Sequence, residues 1–255
     1  MNEVQKTLLL TGASRGIGHA TVSFFSEKNW EIITCSREAP PEECLRDLNW
    51  SHHITTDLAD TNSIDAFIKE ANAFLGERPL HGLVNNAGVN DGIGLEKGKY
   101  EDFLNSINKN VAHYYKMAQL VLPELKKNKG TIVNIGSKVS ATGQGRTSGY
   151  AAACGGRNAL TREWAVELIP YSIRVNSVIV AECYTPLYKK WVESFENPKE
   201  KLASITDKIP LEKRMTTIEE IASTVAFLIS EKSSHTTGQL IYVDGGYTHL
   251  DRTIL

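Results

Sequence analysis

Between Thr7 and Val243 the chain alternates short apolar runs with longer stretches in which apolar residues recur every three or four positions. The short runs are rich in β-branched residues and predict buried strands. They lie at Thr7–Leu10, Glu31–Ser36, His53–Thr56, Gly82–Asn85, Gly130–Gly136, Ile173–Val180 and Leu240–Val243. Helical spacing predicts helices over His19–Lys28, Asn62–Leu75, Tyr100–Lys127, Tyr150–Leu168 and Ile218–Ser230. Strands alternating with helices imply βαβ units, and so a seven-stranded parallel sheet with helices on both faces. The expected fold class is α/β, doubly wound, as a single domain over residues 1–255.

One segment breaks the rhythm. Residues 181–214 are rich in Tyr, Trp, Lys and Glu and follow the sixth strand. Ligands of open α/β sheets sit outside the carboxyl ends of the strands, so this insertion is expected to act as a substrate lid. The alternative is a helix pair that merely covers the surface.

The candidate chemistry starts at Thr11–Gly18, Thr-Gly-Ala-Ser-Arg-Gly-Ile-Gly, directly after the first strand. A strand, a glycine turn and a helix N-terminus make a site for a pyrophosphate. Backbone N–H groups and the helix dipole point at the anion, and small residues let it approach. Gly12, Ser14, Arg15, Gly16, Ile17 and Gly18 are the candidate contacts. The spacing is Gly-x-x-x-Gly-x-Gly, so by itself the loop could also be an ordinary strand–helix turn.

Composition narrows the partners. A chain of 255 residues with 41% hydrophobic content can bury one core. A net charge of -2 gives no reason to expect nucleic acid or an anionic membrane. An apolar leader and a run of eighteen apolar residues are both missing, so neither secretion nor a membrane span is expected. The four cysteines, Cys35, Cys44, Cys154 and Cys183, have no metal spacing and suit free thiols in a reducing cytoplasm. His52, His53, His113, His235 and His249 show no metal spacing either, and no metal is expected.

Further segments fall in order along the chain. Asn85-Asn86-Ala87-Gly88 closes the fourth strand, Asn110 lies in a long helix, Ser137 ends the fifth strand, and Tyr150 follows. With Thr11–Gly18, these resemble the short-chain dehydrogenase/reductase family over nearly the whole chain. The resemblance implies a Rossmann-type domain and a cytoplasmic, nicotinamide-dependent oxidoreductase that forms a homodimer or homotetramer through the helices near 100–127 and 150–168. It also implies that Ser137 holds the substrate oxygen, Tyr150 is the acid/base, and Asn110 supports a water in the proton relay. Asn86, Ala87 and Gly88 would line the adenine-ribose side, Asp57 and Leu58 the adenine, and Thr185 the carboxamide. Asp57 could equally be a helix cap.

The chain departs from the family at one catalytic position. A phenol titrates near 10 and needs a nearby cation to act as a base at neutral pH. In the family a lysine four residues after the tyrosine provides it; here that residue is Cys154, in Tyr150-Ala-Ala-Ala-Cys154-Gly-Gly. A thiol is neutral and too short, so hydride transfer is expected to be impaired. Lys138, Lys109 or an ordered water could compensate. Cys154 could also be drift in a protein that only binds nucleotide, a tolerated change in a slow enzyme, an introduced substitution, or a nucleophile or redox sensor. A second departure is Val180-Ala181, where the family usually has Pro-Gly.

For the cofactor, the end of the second strand reads Ser36-Arg37 with no acid, and Arg15 lies in the glycine loop. Two arginines without a carboxylate favour the 2′-phosphate of NADP over NAD; Glu38 comes one residue after the usual acid. The substrate inference rests on Thr142–Trp164, Thr185–Trp191 and the tail Val243–Arg252. These are similar to sugar dehydrogenases of the family, which oxidise an L-fucose-like aldose to its lactone. Gln144, Arg146, Glu182, Tyr188 and Trp191 would meet the sugar. Two expectations follow from different classes: a sugar oxidoreductase weakened at Cys154, or a catalytically silent NADP-binding protein serving as a sensor or an inactive oligomer partner.

Overall fold

Apolar side chains alternate between the two faces of each central strand, and each face meets its own set of helices. The computed structural model describes residues 6–42, 44 and 52–250. Its strands are β1 (Thr7–Thr11), β2 (Glu31–Ser36), β3 (His52–Thr55), β4 (Gly82–Asn85), β5 (Thr131–Ser137), β6 (Arg174–Val180) and β7 (Leu240–Val243). They form one parallel sheet in the order β3-β2-β1-β4-β5-β6-β7. The helices are α1 (Gly16–Ser26), α2 (Thr61–Leu75), α3 (Tyr100–Ile107), α4 (His113–Asn128), α5 (Ser148–Glu167), α6 (Pro186–Glu193), α7 (Pro198–Thr206) and α8 (Ile218–Ile229).

Leu9, Ile33, Leu83, Ile132 and Val175 point to one face and pack against Phe67 of α2, Met117 of α4 and Trp164 of α5. Leu8, Leu10, Ile32, Val84, Val133 and Val178 point to the other and pack against Phe25 of α1 and Val225 of α8. Each strand is therefore apolar on both sides, as a doubly covered parallel sheet requires. Strand order reverses between β1 and β4, which places a crevice at the carboxyl ends of those strands.

The expected strands are found, with ends moved by a residue at β1, β3, β5 and β6. Two differences from the sequence expectation concern the site. The predicted long helix over 100–127 is interrupted by a π-helical turn, Asn108–Ala112, between α3 and α4. Such a turn widens the helix by one residue and re-aims the groups within it. The insertion at 181–214 holds the two short helices α6 and α7. Of the tail that suggested a sugar dehydrogenase, Asp251 and Arg252 lie outside the described residues.

Candidate active site

The glycine loop is built by close approach. Gly12 has φ +73°, and a Cβ there would lie 2.9 Å from the Ala87 Cα; a Cβ on Gly18 would lie 2.1 Å from the Gly12 carbonyl oxygen. Neither position can carry a side chain. The loop is fixed to the end of β4 by four hydrogen bonds. The Thr11 hydroxyl accepts from the Asn86 and Ala87 amides at 3.0 and 3.1 Å, and the Asn86 side-chain amide donates to the Thr11 and Gly12 carbonyls, both at 3.0 Å. Asn86 and Ala87, expected to contact cofactor, thus also hold the cradle together. At the head of α1 the capping residue is Arg15, whose side chain makes no cap hydrogen bond. The first amides of the helix are left to an external acceptor. Ile17 packs into the core beneath, and Leu58 is buried in the opposite layer. The cradle therefore fits the pyrophosphate of a dinucleotide.

At the end of β2, Ser36 turns inward. Its hydroxyl donates to the Glu38 carbonyl at 2.6 Å and meets His53 Nε2 at 3.2 Å. Arg37 is exposed, and Arg15 pairs with the Glu38 carboxylate at 2.6 Å. The acid that the sequence placed one residue late thus reaches the same cation that would meet a 2′-phosphate. Asp57 accepts from the Ala59 amide at 3.0 Å, while Asp60 caps α2. The helix-cap alternative therefore applies to Asp60. Thr185 caps α6 and stands 3.5 Å from where a Gly16 Cβ would be, so α6 begins against the glycine loop.

Ser137 at the end of β5 and Tyr150 in the first turns of α5 come together. The polar neighbours of the phenol include the Ser137 hydroxyl, the Cys154 thiol and the Arg157 guanidinium. Burial, the largest effect, and Cys154 raise the Tyr150 phenol above its ordinary value, against the opposing pull of Arg157 and Ser137. Cys154 is fully buried and its thiol is also pushed up, first by burial. Burial and a tightly held proton both lower the reactivity of a thiol.

The two lysines expected to compensate do not serve Tyr150. Lys138 is paired with Glu182 and lies 4.1 Å over the Tyr247 ring. Neither Lys138 nor Lys109 is among the groups that act on the phenol. The cation beside it is Arg157, which is 2% exposed. Sequence reasoning missed this residue. Its signal was a lone arginine on an otherwise small and apolar helix face, seven residues and two turns after Tyr150.

Asn110 sits in the π turn, fully used. Its side chain accepts from the Val89 amide at 2.7 Å and donates to the Ser106 carbonyl at 3.0 Å. Its backbone carbonyl accepts from Arg157 Nε at 2.5 Å. A Cβ on Gly88 would lie 2.8 Å from Arg157 Nη2, so the glycine of Asn-Ala-Gly leaves room for the guanidinium.

On the substrate side, Tyr188 donates to Glu182 at 2.5 Å and stacks edge-on with Trp191, ring centres 5.2 Å apart. Trp191 in turn meets Phe195 at 5.1 Å, beneath Lys201 of α7. The structure thus gathers Glu182, Tyr188 and Trp191. Gln144 and Arg146 are exposed on the separate loop 141–147, where Arg146 has φ 57° and its backbone abuts Gly94.

A glycine cradle lies at the β1/β4 crevice, and a serine–tyrosine pair stands at the end of β5. The family model described as enoyl-(acyl carrier protein) reductase matches residues 12–248. The chain belongs to the short-chain dehydrogenase/reductase family. Among short-chain dehydrogenase/reductase relatives, it is 34% identical to protein FixR of Bradyrhizobium diazoefficiens, covering 94% of this chain and 86% of that one. It is 30% identical to rat (Rattus norvegicus) L-fucose dehydrogenase, covering 94% and 88%. Among solved structures, the Cj0485 dehydrogenase superposes with a TM-score of 0.93 at 40% identity, covering 98% and 97%. No helix among the described residues is long and apolar enough to cross a membrane.

Proposed function

We propose that the protein is an NADP(H)-linked oxidoreductase of a secondary alcohol or carbonyl on a small polar substrate, with an L-fucose-like aldose, oxidised to its lactone, as the leading candidate. The observation that carries this reading is the meeting of Ser137 and Tyr150 beside a cradle closed by Gly12, Gly18 and Asn86. When bound, the nicotinamide supplies the hydride acceptor or donor. The cradle holds the dinucleotide by its pyrophosphate, with Thr185 close to the loop. Ser137 hydrogen-bonds the substrate oxygen, and Tyr150 takes the hydroxyl proton in oxidation or gives it back in reduction. Trp191 offers an aromatic face to the C–H surface of a sugar ring; Glu182 and Tyr188 offer polar partners for its hydroxyls, as Gln144 and Arg146 do from their loop.

NADP is favoured by Arg15 and Arg37, which together supply the positive charge a 2′-phosphate needs. A homodimer or homotetramer is favoured by apolar groups left exposed near α3, α4 and α5: Leu104, Tyr115 and Val166. A cytoplasmic location suits the buried, free thiols of Cys35, Cys154 and Cys183.

A second reading, a nucleotide-binding protein without turnover, is favoured by one observation: the neutral, buried Cys154 where the family carries a lysine. The test is NADP- and NAD-linked oxidation of a panel of aldoses, L-fucose among them, with nucleotide binding by calorimetry. Turnover that Tyr150→Phe abolishes supports the oxidoreductase. Tight binding with no turnover of any sugar or carbonyl supports the second reading.

A further inference from the structure

We propose that Arg157 is the cation that sets the proton affinity of Tyr150, acting from a different position on the helix in place of the amine missing at Cys154. The proposal rests on the oxidoreductase reading and gives its base a nearby cation.

The first ground is placement. Tyr150, Cys154 and Arg157 lie at positions i, i+4 and i+7 of α5, on one face. The guanidinium carbon is 5.7 Å from the Tyr150 ring centre and 4.5 Å from the ring centre of Tyr114. Cys154, one turn nearer the tyrosine, is small enough to leave that space open. Gly88 leaves the opposite side open.

The second ground is cost. Arg157 is 2% exposed, and among the described residues no carboxylate acts on it. A buried charge without a counter-ion is strongly unfavourable unless other groups compensate. Its hydrogen bonds go to neutral acceptors: the Asn110 carbonyl at 2.5 Å, the Ile135 carbonyl at 3.2 Å and the Asn110 side-chain oxygen at 3.3 Å. The groups around it that can become negative are Tyr114, Tyr150 and Cys154. Tyr114 is fully buried and donates its hydroxyl proton to the Ile135 carbonyl at 3.1 Å, and Cys154 is closed off, so Tyr150, half-buried beside Ser137, is the one placed to exchange a proton with substrate. A phenolate there would complete the ion pair that Arg157 otherwise lacks.

The third ground is connection. Arg157 bonds directly to both the backbone and the side chain of Asn110 in the π turn. The link between the tyrosine and that asparagine therefore runs through a fixed guanidinium. Arg157 is a positioning residue in this scheme: it acts on substrate only through Tyr150.

Cys154→Lys alone puts a second cation beside a buried guanidinium, with no acid to receive it. The double variant Cys154→Lys, Arg157→Met exchanges one cation for the other.

The test replaces Tyr150 with 3,5-difluorotyrosine and follows its ionisation by fluorine NMR in the full chain, a readout that needs no turnover. Arg157→Met is expected to raise the midpoint by about one to three pH units, and Arg157→Lys to keep it close to that of the unsubstituted chain. In chains with the natural tyrosine, Arg157→Met should lower neutral-pH oxidation about tenfold or more, and adding Cys154→Lys to it should recover most of the loss. Circular dichroism establishes that each variant is folded. An unchanged midpoint in folded Arg157→Met overturns the proposal, as does a manyfold gain in turnover from Cys154→Lys with Arg157 in place. If Arg157→Met does not fold, a midpoint in Arg157→Lys displaced upward by the same one to three units overturns it, because a retained charge should hold the phenol. If the fluorine midpoint moves as expected but the natural chain oxidises no substrate, the coupling stands and the oxidoreductase reading is what fails.

Discussion

The carboxylate of Glu38 lies 2.6 Å from the guanidinium of Arg15, just beyond the end of β2. Both side chains are more than half exposed, so the pair is solvated and weak, worth no more than about 1 kcal/mol. A 2′-phosphate can draw Arg15 away from it, and a 2′-hydroxyl can hydrogen-bond to Glu38. Glu38→Gln should therefore lower the KM for NADP a few-fold and raise that for NAD, while Arg15→Ala should do the reverse for NADP. Steady-state kinetics with both nucleotides decides it. Equal effects of Glu38→Gln on the two would mean that this pair does not discriminate.

His113 shares the buried pocket of Arg157. Burial first, and then the Arg157 charge, push its imidazole down to about 3. Between that value and the ordinary 6.5, the unfolded chain binds a proton that the folded one refuses. The neutral histidine therefore costs nothing above pH 6.5, and stability falls as the pH drops below it, by up to about 1.4 kcal/mol per pH unit from this residue. Urea unfolding at pH 7, 6 and 5 should show a smaller acid loss for His113→Gln than for the unsubstituted chain. Parallel losses in the two would remove His113 as the cause.

The fold was legible because strand and helix periods differ, and because a parallel sheet buries both faces of each strand. Leu8, Leu9 and Leu10 needed no context to be placed inside. Asn110 was legible as a motif residue, but the π turn that carries it was not: nothing in the apolar spacing of 100–127 marks one extra residue in a turn. Glu38 was noticed, yet its ion pair with Arg15 depends on how two loops meet across the ends of β1 and β2. Arg157 was passed over for a physical reason. A charge on a helix reads as solvated, and only the tertiary packing of Tyr114, Tyr150 and Gly88 around it shows that it is not.

Glu182 joins the end of β5 to α6: it pairs with Lys138 and accepts from Tyr188 at 2.5 Å. The side chains of Lys138 and Glu182 are only 10% and 13% exposed, so removing one charge strands the other. Glu182→Gln should cost about 1–3 kcal/mol, a drop in Tm of several degrees for a chain of this size. Tyr188→Phe should leave Tm nearly unchanged and raise the KM for substrate more than it lowers kcat, because it loosens α6 without leaving a charge unpaired. A fall in kcat alone for Tyr188→Phe would place the residue outside substrate binding.

The raised phenol of Tyr150 sets an asymmetry between the two directions of the reaction. Burial, outweighing Arg157 and Ser137, holds its proton more tightly than a free phenol does. Reduction uses the protonated form, which dominates throughout the neutral range, so its rate should be nearly flat from pH 6 to 8. Oxidation uses the phenolate, whose fraction rises about tenfold per pH unit until the pH reaches the phenol's own value. The logarithm of the oxidation rate should then climb with a slope near one through pH 8 to about 10, without levelling off. Initial rates in both directions, with nucleotide and substrate saturating at each pH, give the comparison. An oxidation limb that levels off below about pH 9 would mean that bound nucleotide and substrate lower the phenol well below its value in the free protein. The asymmetry would then be lost in the ternary complex.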